Sequence, residues 1–103
     1  MFKLNGFEWR VFLVSPSHPL LIKPDGSLAI GVCDKETQKI YINDMLNDME
    51  LKLVLCHEIV HAAMFSYDIR LDYQEEEVVA VLISNYGEEI IDITNSIFSK
   101  LSK

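Results

Sequence analysis

Alternating and periodic apolar positions divide the chain into a strand-rich first half and a helical second half. Apolar side chains recur at every second position from Phe7 to Val14, which predicts a β-strand. Two shorter apolar runs, at 28–33 and 38–43, predict a second and a third strand, and the four residues between them have the length of a hairpin loop. We expect these three strands to form a small, mainly antiparallel sheet.

The first helical segment follows the third strand. Asn47 or Asp48 is a suitable N-cap, and the helix is expected to end near Tyr67. Apolar residues surround nearly the whole circumference of this segment, so the helix is predicted to lie in the middle of the domain.

The second helical segment begins at a predicted capping box, in which Asp72 is the N-cap and Glu75 reaches back to it. This helix is expected to continue to about Phe98. The chain is therefore predicted to be a single α+β domain over residues 1–103, with the sheet packed on the first helix and on the long C-terminal one.

Composition and charge narrow the possible functions. The 103 residues are 50% hydrophobic, which supports one modest core. The net charge of −7 argues against nucleic acid as a partner, because an acidic surface repels phosphates. The sequence opens without a signal peptide, and no apolar run approaches transmembrane length, so we expect a soluble, cytoplasmic protein without a membrane partner. Cys33 and Cys56 form no Cys-x-x-Cys pair and are expected to be buried thiols.

The first helical segment contains the pattern His-Glu-x-x-His, with His57, Glu58 and His61 at its fixed positions. Residues four apart share one face of a helix, so His57 and His61 can direct two imidazole nitrogens at one Zn²⁺ ion. Glu58 points away from that face but can reach a water in the open coordination position and take its proton. The alternative is a metal-free network in which these three side chains satisfy one another inside the protein.

A catalytic zinc site needs a third protein ligand, and the acidic run that opens the second helix is the nearest source. Glu75 is assigned to the capping box. Glu76 lies on the apolar stripe of that helix, where a buried carboxylate needs a partner, so Glu76 is the favoured ligand and Glu77 the second choice. Stabilisation of the helix dipole would explain all three residues without a metal. His18, in a proline-rich loop, is a rival that would complete a three-histidine site.

The motif His57-Glu58-Ile59-Val60-His61-Ala62, followed by Glu75-Glu76-Glu77-Val78-Val79-Ala80, resembles the zincin metallopeptidases of the gluzincin type. More closely, it is similar to small phage and prophage proteins related to the ImmA/IrrE group. The resemblance implies a zinc-dependent peptidase fold reduced to its core, with His57, His61 and Glu76 as ligands and Glu58 as the general base. It also implies a phage or prophage origin, and hence the cytoplasm of a host cell.

The function expected from these features is hydrolysis of a peptide or protein substrate by a zinc-activated water. Tyr67 or Tyr73, between the two helices, could donate a hydrogen bond to the oxyanion. An extended substrate could add to the edge of the sheet through the strand at 28–33. The alternative from another class is a zincin-like binding module that keeps the metal for stability and holds a partner without cleaving it.

Overall fold

A four-stranded mixed sheet packs on one long helix, and the C-terminal helix packs on that helix rather than on the sheet as expected, in a computed structural model that describes residues 1–102. The strand order across the sheet is β1-β2-β4-β3, so β3 is an edge strand next to β4. The elements, in chain order, are β1 (Phe2–Leu4), β2 (Phe7–Val14), a short 3₁₀ turn (Pro19–Leu21), β3 (Gly31–Asp34), β4 (Lys39–Asn43), α1 (Asp48–Ser66) and α2 (Tyr73–Leu101).

The α+β class is confirmed, but the sheet differs from the expected three-stranded, mainly antiparallel one. An additional strand, β1, pairs antiparallel with β2 through a tight turn at Asn5 and Gly6, both of which have positive φ. β2 and β4 pair in parallel, and β4 lies between β2 and β3. A parallel pair needs a connection of about a dozen residues or more. The long segment between β2 and β4, which includes β3, supplies it.

The predicted hairpin of the second and third strands is confirmed as the antiparallel pair β3–β4. The regular part of the first of these strands is shorter than expected, because Leu28 makes an isolated bridge with Ile22 instead of joining the β3–β4 ladder. The regular strand therefore begins at Gly31, and residues 29–30 precede it outside regular secondary structure.

Helix α1 lies between the sheet and α2, as its apolar circumference predicted. On the sheet side, Ile40 and Ile42 of β4 are fully buried in one cluster with Trp9 and Val54. On the other side, Val60 and Met64 of α1 pack with Ala80 of α2 in a second, smaller cluster, which the helix separates from the first.

Both helices begin at capping boxes. Asn47 Oδ1 accepts from the Glu50 N–H at 2.8 Å while Glu50 accepts from the Asn47 N–H at 3.0 Å, and Asp72 and Glu75 make the same pair of bonds as predicted. Each box satisfies two backbone groups that a helix start leaves unpaired. Within residues 1–102, neither helix combines the length and the apolar character that crossing a membrane requires.

A buried hydrogen bond joins the N-terminal hairpin to the end of α1. The Trp9 Nε1–H donates to Ser66 Oγ at 2.8 Å, and both side chains are almost completely buried. The Asn5 side-chain amide donates to the Ser66 carbonyl at 2.9 Å, and Phe65 packs edge-to-face on the Trp9 ring. The small serine hydroxyl thus satisfies the polar atom of the largest core side chain.

Ser66→Ala is expected to destabilise the fold, because it leaves the buried Trp9 N–H without its acceptor. The expected loss in the free energy of unfolding is about 1–3 kcal/mol, measured by urea denaturation followed by circular dichroism. Ser99→Ala, at an exposed position of α2, is the matched control and should change stability by no more than about 0.5 kcal/mol. Equal midpoints for Ser66→Ala and the unmodified protein would contradict this role of the serine hydroxyl.

Candidate metal centre

His57, His61 and Glu77 bring three metal-binding side chains to one place between α1 and α2. The two imidazole rings are 5.1 Å apart between centroids. His61 Nε2 lies 2.6 Å from Glu77 Oε1, and His57 Nε2 lies 3.3 Å from Glu77 Oε2. One ligand atom from each of the three residues lies within 4.8 Å of the others, so this cluster could hold a metal ion.

The local sequence explains how the three side chains meet. The spacing of four residues places both histidines on one face of α1. The Asp72 capping box starts α2 six residues after α1 ends, and α2 then packs back along α1. The carboxylates near the start of α2, Glu76 and Glu77, are thereby brought over the histidine-bearing turns of α1.

Glu76 has a different environment from Glu77. Its side chain is buried, and its Oε1 lies 2.5 Å from His61 Nδ1 and 3.1 Å from Lys35 Nζ. The sequence favoured Glu76 as the third ligand, with Glu77 second; the structure groups Glu77 with the Nε2 atoms of both histidines and places Glu76 on the other edge of the His61 ring. The buried carboxylate does have the partner that its apolar stripe required, but this partner is an imidazole together with a lysine from the β3–β4 turn.

Electrostatics at Glu76 favour its charged form. Burial by itself raises the pKa of this carboxyl, but hydrogen bonds from His61 and Lys35 together outweigh burial, and the pKa lies below its ordinary value. A carboxylate that accepts from Nδ1–H fixes the tautomer of a metal-binding histidine and leaves Nε2 free to coordinate.

The contacts of His61 test whether a cation fits. A neutral imidazole carries one N–H, and donation to Glu76 uses the proton on Nδ1. The Nε2 lone pair then faces the Glu77 carboxylate at 2.6 Å, a contact between two acceptors that needs a positive charge between or on them. A proton between the two atoms satisfies this contact, and a metal ion would satisfy it once the two side chains move apart to the spacing of tetrahedral ligands. The donor set of two imidazoles and one carboxylate is one that zinc uses in catalytic sites.

Glu58 lies beside the cluster and against the sheet. It is 8% exposed, and a Cβ atom added to Gly31 would be 3.1 Å from Glu58 Oε2 and 2.7 Å from Val54 Cγ1. Burial raises the pKa of Glu58; the nearby Glu77 carboxylate acts in the same direction, whereas His61 and His57 oppose the change. Gly31 is a residue that sequence reasoning missed, and the signal was a glycine inside an apolar strand pattern.

A groove of about 600 Å³ runs between β3 and the histidine-bearing face of α1. Residues 28–33, Lys35 and the side chains of the cluster line it. Of the two tyrosines considered as donors, Tyr73 is part of this lining, whereas Tyr67 caps the end of α1 outside it. The groove therefore combines the edge strand, the metal-binding atoms and Glu58 on one surface.

His18 is placed away from the cluster. Its ring stacks on Tyr41, and its Nδ1 accepts from the Leu20 N–H at 3.1 Å, which caps the 3₁₀ turn. Tyr41 alternates along β4 with Ile40 and Ile42, which face α1, so His18 lies on the opposite face of the sheet. The structure therefore does not bring His18 to His57 and His61, and the expected alternative of a three-histidine site is not formed.

The two cysteines are free and half-buried. Burial, and next the Glu58 charge, raise the pKa of the Cys33 thiol to about 12, and burial also raises the pKa of Cys56. Cys33 lies on β3 in the lining of the groove, so its thiol is a neutral part of that wall at physiological pH.

The raised pKa predicts slow alkylation of Cys33. In metal-free protein at pH 8.5, iodoacetamide should modify Cys33 much more slowly than it does in urea, because the thiolate is the reacting form. The rate should rise with pH well beyond 9. The Cys33 thiol of the unfolded chain loses its proton at a lower pH than the thiol of the folded protein. The free energy of unfolding should therefore fall as the pH rises from 9 to 12. Mass spectrometry locates the modification, with Cys33→Ser as the control; equal rates in native and denatured protein would refute the prediction.

The geometry also predicts which acidic residue matters most for metal affinity. Glu77→Gln should weaken binding of Zn²⁺ more than Glu76→Gln, because it removes a carboxylate from the Nε2 side of both histidines. Loss of an orienting carboxylate such as Glu76 should cost roughly 10–100-fold. Competition with a chromophoric chelator measures the affinities, with the exposed Glu36→Gln as the control. A larger loss for Glu76→Gln would make Glu76 the ligand instead.

The site is thus defined by its own geometry. Comparisons of the chain with protein-family models, with curated proteins and with solved structures find no match. The resemblance to the gluzincins remains a prediction from the motif.

Proposed function

We propose that this protein is a zinc-dependent peptidase. The observation that carries the proposal is the position of Glu58: a buried carboxylate next to the His57, His61 and Glu77 cluster and directly against an edge strand. A general base must lie within reach of both the metal site and the substrate. Glu58, the candidate ligands and the edge strand all line one groove, which supports the proposal.

His57, His61 and Glu77 would hold the zinc ion, and Glu76 would orient His61 through Nδ1. Zinc supplies Lewis acidity, which polarises a peptide carbonyl and makes a water molecule acidic enough to lose a proton near neutral pH. Lys35 keeps Glu76 ionised and in place at 3.1 Å. The arrangement leaves one side of the cluster open to the groove, where a substrate can approach.

Glu58 would accept the proton of the attacking water at its carboxylate and return it to the leaving amine. Burial supports this role, because a raised pKa makes a carboxylate a stronger proton acceptor. The close backbone of Gly31 restricts the movement of the Glu58 side chain, so the base is held on the groove side of α1.

The edge strand β3 offers a binding surface for an extended peptide. The Asn43 N–H donates to the Ile30 carbonyl, so alternation along the ladder directs the backbone groups of Gly31 and Cys33 away from β4. A peptide that adds to this edge as a further strand would run through the groove past Glu58. The Tyr73 hydroxyl, which is exposed in the groove lining, is the proposed donor to the oxyanion.

The packing supports the zincin-like interpretation. The helix with the two histidines lies between a mixed sheet and a second helix that contributes the carboxylate. This is the arrangement that the resemblance to the small phage and prophage zincins implies. The proposed substrate class is a peptide or an exposed segment of a protein, because extended chains are the ligands that a free strand edge binds.

Replacement of the base tests the activity. Glu58→Gln should bind zinc as the unmodified protein does but lose at least about 100-fold in peptide hydrolysis. The assay is the appearance of new amino termini in a mixed peptide library with one equivalent of zinc. Glu36→Gln, at an exposed position in the hairpin turn, should keep full activity.

Two outcomes would contradict the proposal. Equal release of amino termini by Glu58→Gln and the unmodified protein would exclude Glu58 as the base. No release by either protein, together with a large loss of thermal stability on chelation, would favour a binding module that uses zinc for structure.

A further inference from the structure

The second half of α2 extends beyond the rest of the fold. Every residue in 88–102 is exposed, although the chain is helical to Leu101. The molecule is correspondingly elongated, with extents of 55 × 30 × 27 Å. We call residues 88–101 the tail helix.

The composition of the tail helix does not suit a helix surrounded by water. Six large apolar side chains between Ile90 and Leu101 are each 47–79% exposed. They are Ile90, Ile91, Ile93, Ile97, Phe98 and Leu101. Four of the six are β-branched isoleucines, which are mediocre helix formers, and an isolated helix of this length is marginal in water. Packing against another surface is the usual source of stability for such a segment.

The apolar positions have the spacing of a helix-pairing seam. Ile83, Ile90 and Ile97 are seven residues apart, and Tyr86 and Ile93 occupy the intermediate positions. Apolar residues at two positions of a seven-residue repeat form the seam through which helices pair. A seam of this kind is complementary to a second copy of itself.

The charges of the tail helix select an antiparallel arrangement. Its acidic residues, Glu88, Glu89 and Asp92, lie in the first half, and its basic residue Lys100 lies near the end. An antiparallel pair places the basic end of each helix beside the acidic part of the other and opposes the two helix dipoles. A parallel pair would place like charges side by side. Acidic residues along the same segment also disfavour an anionic membrane as the occupant.

We propose that the tail helix pairs antiparallel with the tail helix of a second copy and so forms a two-fold symmetric homodimer. Ile90, Ile93 and Ile97 form the centre of the interface, and Lys100 of each chain lies near the acidic part of the other tail helix. The interface is remote from the metal centre, and the proposal does not depend on the proposed activity.

Sedimentation velocity of the full chain tests the proposal. At about 100 µM the protein should sediment with twice the mass of one chain. Ile90→Lys and Ile97→Lys should each weaken the dimer by more than about 100-fold, because each places an unpaired ammonium in an apolar interface. Val78→Lys is the matched control: Val78 is 68% exposed on the same helix, outside the tail, so this variant should remain a dimer. Circular dichroism and zinc content establish that each variant is folded.

The arrangement of the two helices has its own test. Lys100→Glu should weaken the dimer several-fold, and the combination Glu89→Lys with Lys100→Glu should recover most of this loss. A monomer for the unmodified protein at about 100 µM would overturn the proposal. A dimer that survives Ile90→Lys and Ile97→Lys would mean that another surface associates and would overturn it as well. A dimer that Lys100→Glu strengthens would overturn the antiparallel arrangement.

Discussion

The contact between the start of α2 and the histidine-bearing face of α1 depends on neutralising buried negative charge. Glu58, Glu76 and Glu77 converge there, two of them less than a tenth exposed, and Lys35 returns one positive charge. Concentrated carboxylates in a partly dehydrated site are unfavourable unless cations balance them. A proton shared between His61 and Glu77, or a divalent cation bound in its place, would balance part of this charge. Docking of α2 and binding of a cation are therefore expected to reinforce each other.

The edge strand β3 helps to position Glu58 and Glu76, two residues of the candidate site that the helices carry. β3 passes so close to α1 that Gly31 has no space for a side chain, and this contact presses Glu58 toward the groove. The turn after β3 carries Lys35, which holds Glu76 against His61. The strand thus orients both the candidate base and the carboxylate that sets the tautomer of a candidate ligand. The same strand directs backbone groups of Gly31 and Cys33 away from β4, so the proposed binding surface and the support for the candidate site belong to one element.

Local patterns in the sequence predicted the parts of the fold that depend on local interactions. The capping box at Asp72, the two helices and the β3–β4 hairpin all follow from residues close together in the chain. The parallel pairing of β2 with β4 could not be predicted in this way, because it depends on where a long connection crosses the sheet. The three residues of β1 were too few to give a strand pattern.

The sequence also could not decide which histidine nitrogen Glu76 and Glu77 each contact. Neighbouring residues on a helix point about 100° apart, so the contacts depend on the angle at which α2 crosses α1, which is not a local property of the sequence.

The two halves of α2 have opposite relations to the fold. Its first half packs on α1 through Ala80 and carries the acidic residues of the site, whereas its second half continues the same helix into solvent. The Lys52–Glu88 ion pair, at 2.7 Å, marks the place where α2 leaves α1. Because that pair is exposed, it holds the helix weakly. A partner bound to the tail helix would therefore restrain the direction of α2. Because the tail helix and the first half of α2 are one continuous helix, this restraint would also fix the position of Glu76 and Glu77 over the histidines.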